Sequence, residues 1–278
     1  MVFTTNKTYK ILNFFNMKKL ILLSAFAALF LFALVSCEKK ENANLDTLGN
    51  VQKENTEKNC YANPDDKYEY TVVPGMKQWQ ELASIDEAFE ICQLPDDVLK
   101  SISTKGLIDA LVHSPMFTGH YLLSSSSPVA TWHRLYSKLN SAKELFNREN
   151  SGDILVEYYK EIDLSCINQS YNEIEKVTEL ERLFGIEFLF TKPEILKKIS
   201  TQNKQELVKY LLKNYENNTN NYFTVIAIAS VLYNDNYTPL VEYYKKNTNL
   251  YEMNILVGYF LDDNQRSEII SFAKLFIM

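Results

Sequence analysis

From residue 84 onward, apolar side chains recur every three or four positions, the period of a helix with one buried face. The stops and starts are equally plain. Ser84 followed by Glu87 reads as a capping box that opens a short helix through Cys92. Pro95 is a first-turn proline, with Asp96 and Asp97 at the favourable end of the helix dipole. Ser103 or Thr104 caps the next helix, whose Leu107, Ile108, Leu111 and Val112 keep the 3.6 period until the chain stops before Pro115. The serine run Ser124 to Ser127 with Pro128 predicts a loop and cap for a stripe of Val129, Trp132, Leu135, Tyr136 and Leu139. Short helices are expected over Ala142 to Phe146 and Ile154 to Ile162, and a longer one from Tyr171 through Phe188. Pro193 opens another, and Thr201 caps a helix reaching Tyr215. Tyr222 to Tyr233 is apolar on nearly all sides yet too short to cross a bilayer, so it is expected as the central buried helix. Ahead of all these, Tyr68 to Val73 reads as a short extended segment ended by the turn pair Pro74 and Gly75.

The hexapeptide LVEYYK occurs twice, at Leu155 to Lys160 and at Leu240 to Lys245. In each copy Leu and the two Tyr fall at i, i+3 and i+4, a packing stripe from which Glu and Lys point away. VLKSIST (Val98 to Thr104) precedes the first copy and ILKKIST (Ile195 to Thr201) the second, each just after a helix-opening proline. Leu107 and Leu111 answer Leu207 and Leu211 after a three-residue insertion. The order suggests a degenerate tandem duplication, with repeats over 76–165 and 170–260. The expected fold is therefore all-α, an array of short helical hairpins, solenoid-like or an irregular bundle, over 68–278.

The N-terminus changes the picture from fold to location. Met17 to Cys37 carries Lys18 and Lys19, an apolar run from Leu20 to Leu34 and small residues before a cysteine, the layout of a secretory signal over residues 1–36 with Met17 as the expected start. Leu34-Val35-Ser36-Cys37 resembles the bacterial lipobox, which implies lipid attachment at Cys37, and Glu38 in the following position implies the outer membrane, on a face the sequence does not choose. From Glu38 to about Asn63 the chain is rich in Asn, Glu and Lys with little to bury, so 37–67 is expected as a disordered tether holding the domain roughly 30 Å from the lipid.

Composition narrows the function. Without residues 1–36 the chain carries 25 basic against 35 acidic residues, a net of −10 and the wrong field for nucleic acid. Cys60, Cys92 and Cys166 are an odd, widely spaced set that implies no disulfide framework. Cys92 and Cys166 read as buried thiols, with a single bridge from Cys60 left open. His113, His120 and His133 have no helical ligand spacing, and the nucleophile-elbow, Walker and dinucleotide motifs are missing, so no catalytic residue, metal or cofactor is expected. Eighteen tyrosines suit helix seams first. Tyr215, Tyr222, Tyr233 and Tyr237, in Asn-rich stretches, are the candidates for a ligand-facing rim.

PGMKQWQEL (Pro74 to Leu82), CQLPDDVLKSIST (Cys92 to Thr104) and SPMF (Ser114 to Phe117) together resemble a group of secreted proteins and lipoproteins from Bacteroidetes, over about residues 74–150. The resemblance implies an envelope location and a helical fold, and supplies no activity. The function expected is a non-catalytic binding or adaptor module of the cell envelope, held to the membrane by lipid and meeting a protein or glycan partner. The alternative is a surface hydrolase acting on glycan or peptide.

Overall fold

The computed structural model describes residues 60–117, 128–170, 173–217, 222–247 and 261–278. The expected signal segment, Cys37, the expected tether up to residue 59, the serine run and His120 lie outside these residues. Fourteen α-helices and no strand occur among the described residues, so the protein is all-α. In chain order they are α1 Lys77–Gln80, α2 Ile85–Ile91, α3 Asp96–Ser101, α4 Thr104–Val112, α5 Pro128–Lys138, α6 Asn140–Asn147, α7 Ser151–Lys160, α8 Leu164–Ser170, α9 Glu173–Leu189, α10 Pro193–Leu196, α11 Thr201–Asn217, α12 Tyr222–Asn234, α13 Thr238–Lys246 and α14 Asp263–Phe276.

Local chemistry sets most boundaries. Pro74 and Gly75 form a turn closed by the Met76 N–H donating to the Val73 carbonyl at 3.2 Å, and Gly75 takes the positive φ of 96° that the third turn position requires. Ser84 accepts from the Glu87 N–H at 3.2 Å, while the Glu87 carboxylate accepts from Ala83, one residue before the expected partner. Ser103 caps α4 through the Gly106 N–H at 3.0 Å. At α11 the cap is Ser200, whose hydroxyl accepts from Asn203 at 3.4 Å, because Thr201 is already helical. Ser103 and Ser200 are matched positions of VLKSIST and ILKKIST, and a carboxylate holds each: the N–H of Ser103 donates to Asp66 and that of Ser200 to Asp153.

Two helices are buried almost all round. α12 has every residue from Thr224 to Leu232 buried and packs against α9, α10, α11, α13 and α14, the central role its pattern predicts. α4 is the second such helix, packed by α6, α7 and α9. α9 touches both and joins the two halves of one apolar core. Leu107, Leu111, Leu207 and Leu211 are all fully buried. The two LVEYYK copies differ: the first lies in α7 directly on α4, whereas the second, in α13, packs mainly on α12 and α14.

Burial starts earlier than the sequence reading places it. Cys60, Tyr61 and Ala62 are all buried, ahead of the expected onset at Tyr68. The reason is a cross-link: Cys60 is bonded to Cys166, with Cα atoms 5.5 Å apart, and Cys166 is not the free thiol its apolar surroundings suggest. The Tyr61 hydroxyl also donates to the Glu179 carbonyl at 2.6 Å, and the Asp163 N–H to the Cys60 carbonyl at 2.9 Å. Cys92 is free and buried, as expected, and desolvation raises its thiol to about 11. α8, which carries Cys166, has no counterpart in the predicted elements. Its start is fixed by Asp163, whose carboxylate accepts from the N–H groups of Ser165 and Cys166.

Candidate functional site

The four candidate rim tyrosines do not form one rim. Tyr222 and Tyr233 stand at opposite ends of α12, about 16 Å apart along its axis. Tyr215 is near the end of α11 that adjoins the start of α12, and Tyr237 starts α13 beyond the other end. All four are half-buried against the core. Tyr222 and Phe223 meet edge to face at 5.6 Å, as do Tyr237 and Phe276 at 5.3 Å, the seam use that amphipathic rings favour. Burial raises the Tyr222 hydroxyl to about 12.

The polar chemistry of the first LVEYYK copy points inward. The Tyr158 hydroxyl donates to the buried Asp109 carboxylate at 2.9 Å, and Tyr159 donates to the buried Glu187 carboxylate at 2.6 Å. Thr224 also donates to Glu187, and the Asn214 amide to the Tyr159 oxygen. Burial, and then the neighbouring carboxylates, push both tyrosine hydroxyls well above their ordinary range. Asp109 and Glu187 are both fully buried, so these acids are sealed in the core and have no substrate-accessible face. His113 joins the first cluster, its Nδ1 3.2 Å from the Asp109 carboxylate.

One surface pocket sets a histidine and two lysines around an aromatic floor. Its volume is about 350 Å³, and it is lined by His133, Tyr136 and Ser137 from α5, Lys143 and Phe146 from α6, and Thr191 to Glu194 from the turn into α10. The turn is dictated locally. Phe190, Thr191 and Lys192 each donate an N–H three residues back, tightening the end of α9, and Pro193 forces Lys192 into an extended conformation with ψ 124°. The Lys192 side chain is thereby laid over the Phe188 ring, its Nζ 4.1 Å from the centroid, and Nζ comes within 3.1 Å of His133 Nδ1. Tyr136 is held by its hydroxyl donating to the Gly185 carbonyl at 2.6 Å and stacks on the same Phe188. A second pocket, bounded by Asn63 to Asp66, Ser103 and Lys105, has its polar groups already engaged: Asp66 caps Ser103, and Lys105 pairs with Glu161 at 2.8 Å.

The chain matches no family model, no curated protein and no solved structure. Its site must be read from its own geometry.

That geometry centres on Lys192, which is only 9% exposed. Desolvation lowers its ammonium to about 8, partly offset by the Glu194 carboxylate at the rim. Desolvation and the Lys192 charge lower His133 in turn. The groups facing Lys192 are His133 from α5, Lys143 from α6 and Glu194 from α10. The neutral amine is the nucleophilic form, so competitive amine labelling between pH 6 and 11 is expected to give Lys192 a midpoint near 8. A Lys192 midpoint at the ordinary lysine value of about 10.4 would contradict its desolvation. Between those two values the unfolded chain binds the extra proton, so this lysine makes stability rise with pH in that window. Sequence reading found in His133 only a histidine without ligand spacing, solvated or hydrogen-bonded, and in Pro193 only a helix opener. A buried lysine leaves no periodic signal.

Among the described residues, no cluster of His, Cys, Asp or Glu could hold a metal ion, and no helix is long and apolar enough to cross a membrane.

Proposed function

We propose that this protein is a lipoprotein of the bacterial outer membrane whose helical domain serves as a non-catalytic binding or adaptor module. The observation that carries the reading is the Cys60–Cys166 bridge, which joins the start of the described domain to α8. Structural disulfides persist in oxidising compartments, which is where a chain bearing a secretory signal and a lipobox would be delivered. The resemblance to Bacteroidetes envelope proteins points to the same place. For the binding role, the support lies in where the acids sit. Asp109 and Glu187 are enclosed in the core, and the open pocket brings a histidine and two lysines together with only one carboxylate, Glu194. A surface hydrolase working by paired acids would need two of them facing one substrate.

Cross-linking in intact cells through an affinity tag at Met278 tests this reading. One abundant envelope partner is expected with the native chain and not with Cys37→Ala, which cannot take lipid. Recovery of the tagged protein alone, or the same partner for both forms, would refute an anchored adaptor.

A further inference from the structure

We propose that the pocket between α5, α6 and the α9–α10 turn binds a small organic monoanion, a carboxylate with an apolar body whose head group pairs with Lys192. The inference rests on the binding-module reading but not on the lipid anchor. A buried ammonium is costly unless it is paired, and lysines at this depth ordinarily meet a carboxylate. Lys192 meets none within 4 Å among the described residues. Of its three donors, one reaches His133 Nδ1, and the remaining contact is the face of Phe188. Glu194, exposed at the rim, acts on it only at a distance.

The rest of the pocket defines the ligand. Lys143 adds a second cation at the exposed edge, so the cavity is locally positive in a chain of net charge −6. Tyr136, Phe146 and Pro193 supply an apolar wall, and the volume of about 350 Å³ lies at the small end of the range for ligand sites. One buried cation beside an imidazole whose own protonation is suppressed matches a single negative charge. The aromatic surroundings suit a hydrocarbon body better than a hydrated dianion such as phosphate.

Titration calorimetry on the full chain, extracted from membranes in nonionic detergent, tests this with benzoate, hexanoate, benzyl alcohol and inorganic phosphate. Benzoate or hexanoate is expected to bind with a Kd below about 1 mM, at least tenfold more tightly than benzyl alcohol or phosphate. Lys192→Met should weaken that binding at least tenfold. Its thermal transition should not be lowered, because removing an unpaired buried cation relieves a cost. Lys77→Met, an exposed lysine outside the pocket, should leave binding unchanged. Equal affinity for benzyl alcohol would make the site an apolar cavity only, and equal affinity for phosphate a general cationic patch. Either result, no binding of any probe, or an unaltered affinity in a folded Lys192→Met protein overturns the proposal. If the cross-linked envelope partner persists while no anion binds, this inference falls and the binding-module reading stands.

Discussion

Replacing Cys166 with serine is expected to destabilise the protein by about 3–5 kcal/mol, because the bridge it makes closes a long loop. Cys60 and Cys166 are 106 residues apart. Cross-linking such a separation removes a large share of the freedom of the unfolded chain, and for a domain of this size the loss corresponds to roughly 10 °C in melting temperature. Cys60→Ser should have the same effect, and the double variant should be no worse than either single one, since all three lose the same bond. Reduction of the native protein should bring its transition down to theirs. Additive effects of the two single changes, or a native transition indifferent to reductant, would show that the bond does not form. Cys92 offers the internal control. It is fully buried with its thiol raised to about 11, so it should stay unalkylated in the folded protein at neutral pH.

Trp132→Ala is expected to cost a similar amount, about 3–5 kcal/mol, by opening a cavity between α5 and α9. Trp132 is 2% exposed, with the Phe117 ring centroid 5.0 Å away and that of Tyr136 at 6.0 Å. It reaches this position because residue 185 of α9 is glycine. A Cβ there would stand 2.8 Å from the Trp132 ring and 2.6 Å from Phe117. Gly185→Ala alone should therefore destabilise by about 1–3 kcal/mol through overpacking, less whatever helix propensity returns. The two changes share one space, so the double variant should fall short of the sum by at least about 1 kcal/mol in chemical denaturation. Strict additivity would mean that the indole and the glycine do not meet.

The helices were legible where the buried stripe and a terminal signal agreed. Ser103 before Leu107 and Pro193 before Ile195 each combine a start with a packing period, the nearly all-apolar run of α12 marks a core helix by itself, and all three appear in the structure. α8 was not legible because LSCINQS is seven residues long with only three apolar positions. The aspartate before it was the one signal that could have marked it. The burial of Cys60 to Ala62 was hidden for a related reason. An apolar triplet in a polar stretch has no period, and what holds it is a partner 106 residues away. Tyr158 and Tyr159 were correctly placed on a buried stripe, but their hydrogen bonds to Asp109 and Glu187 depend on α4 and α9 packing against α7, which spacing within one helix does not reveal. The pocket was the least legible part of all. Its lysine and histidine come from α5 and the turn after α9, 59 residues apart, and neither carries a local mark of burial.

An anchored, exported chain with a helical domain closed by its own disulfide is the proposed form of the protein. Intact-mass and peptide mass spectrometry of the protein purified from cell membranes tests it in one measurement. A chain beginning at Cys37 and carrying lipid on that residue is expected, with Cys60 and Cys166 recovered in a single cross-linked peptide pair and Cys92 free. An uncleaved chain with an unmodified Cys37 and three free thiols would contradict it.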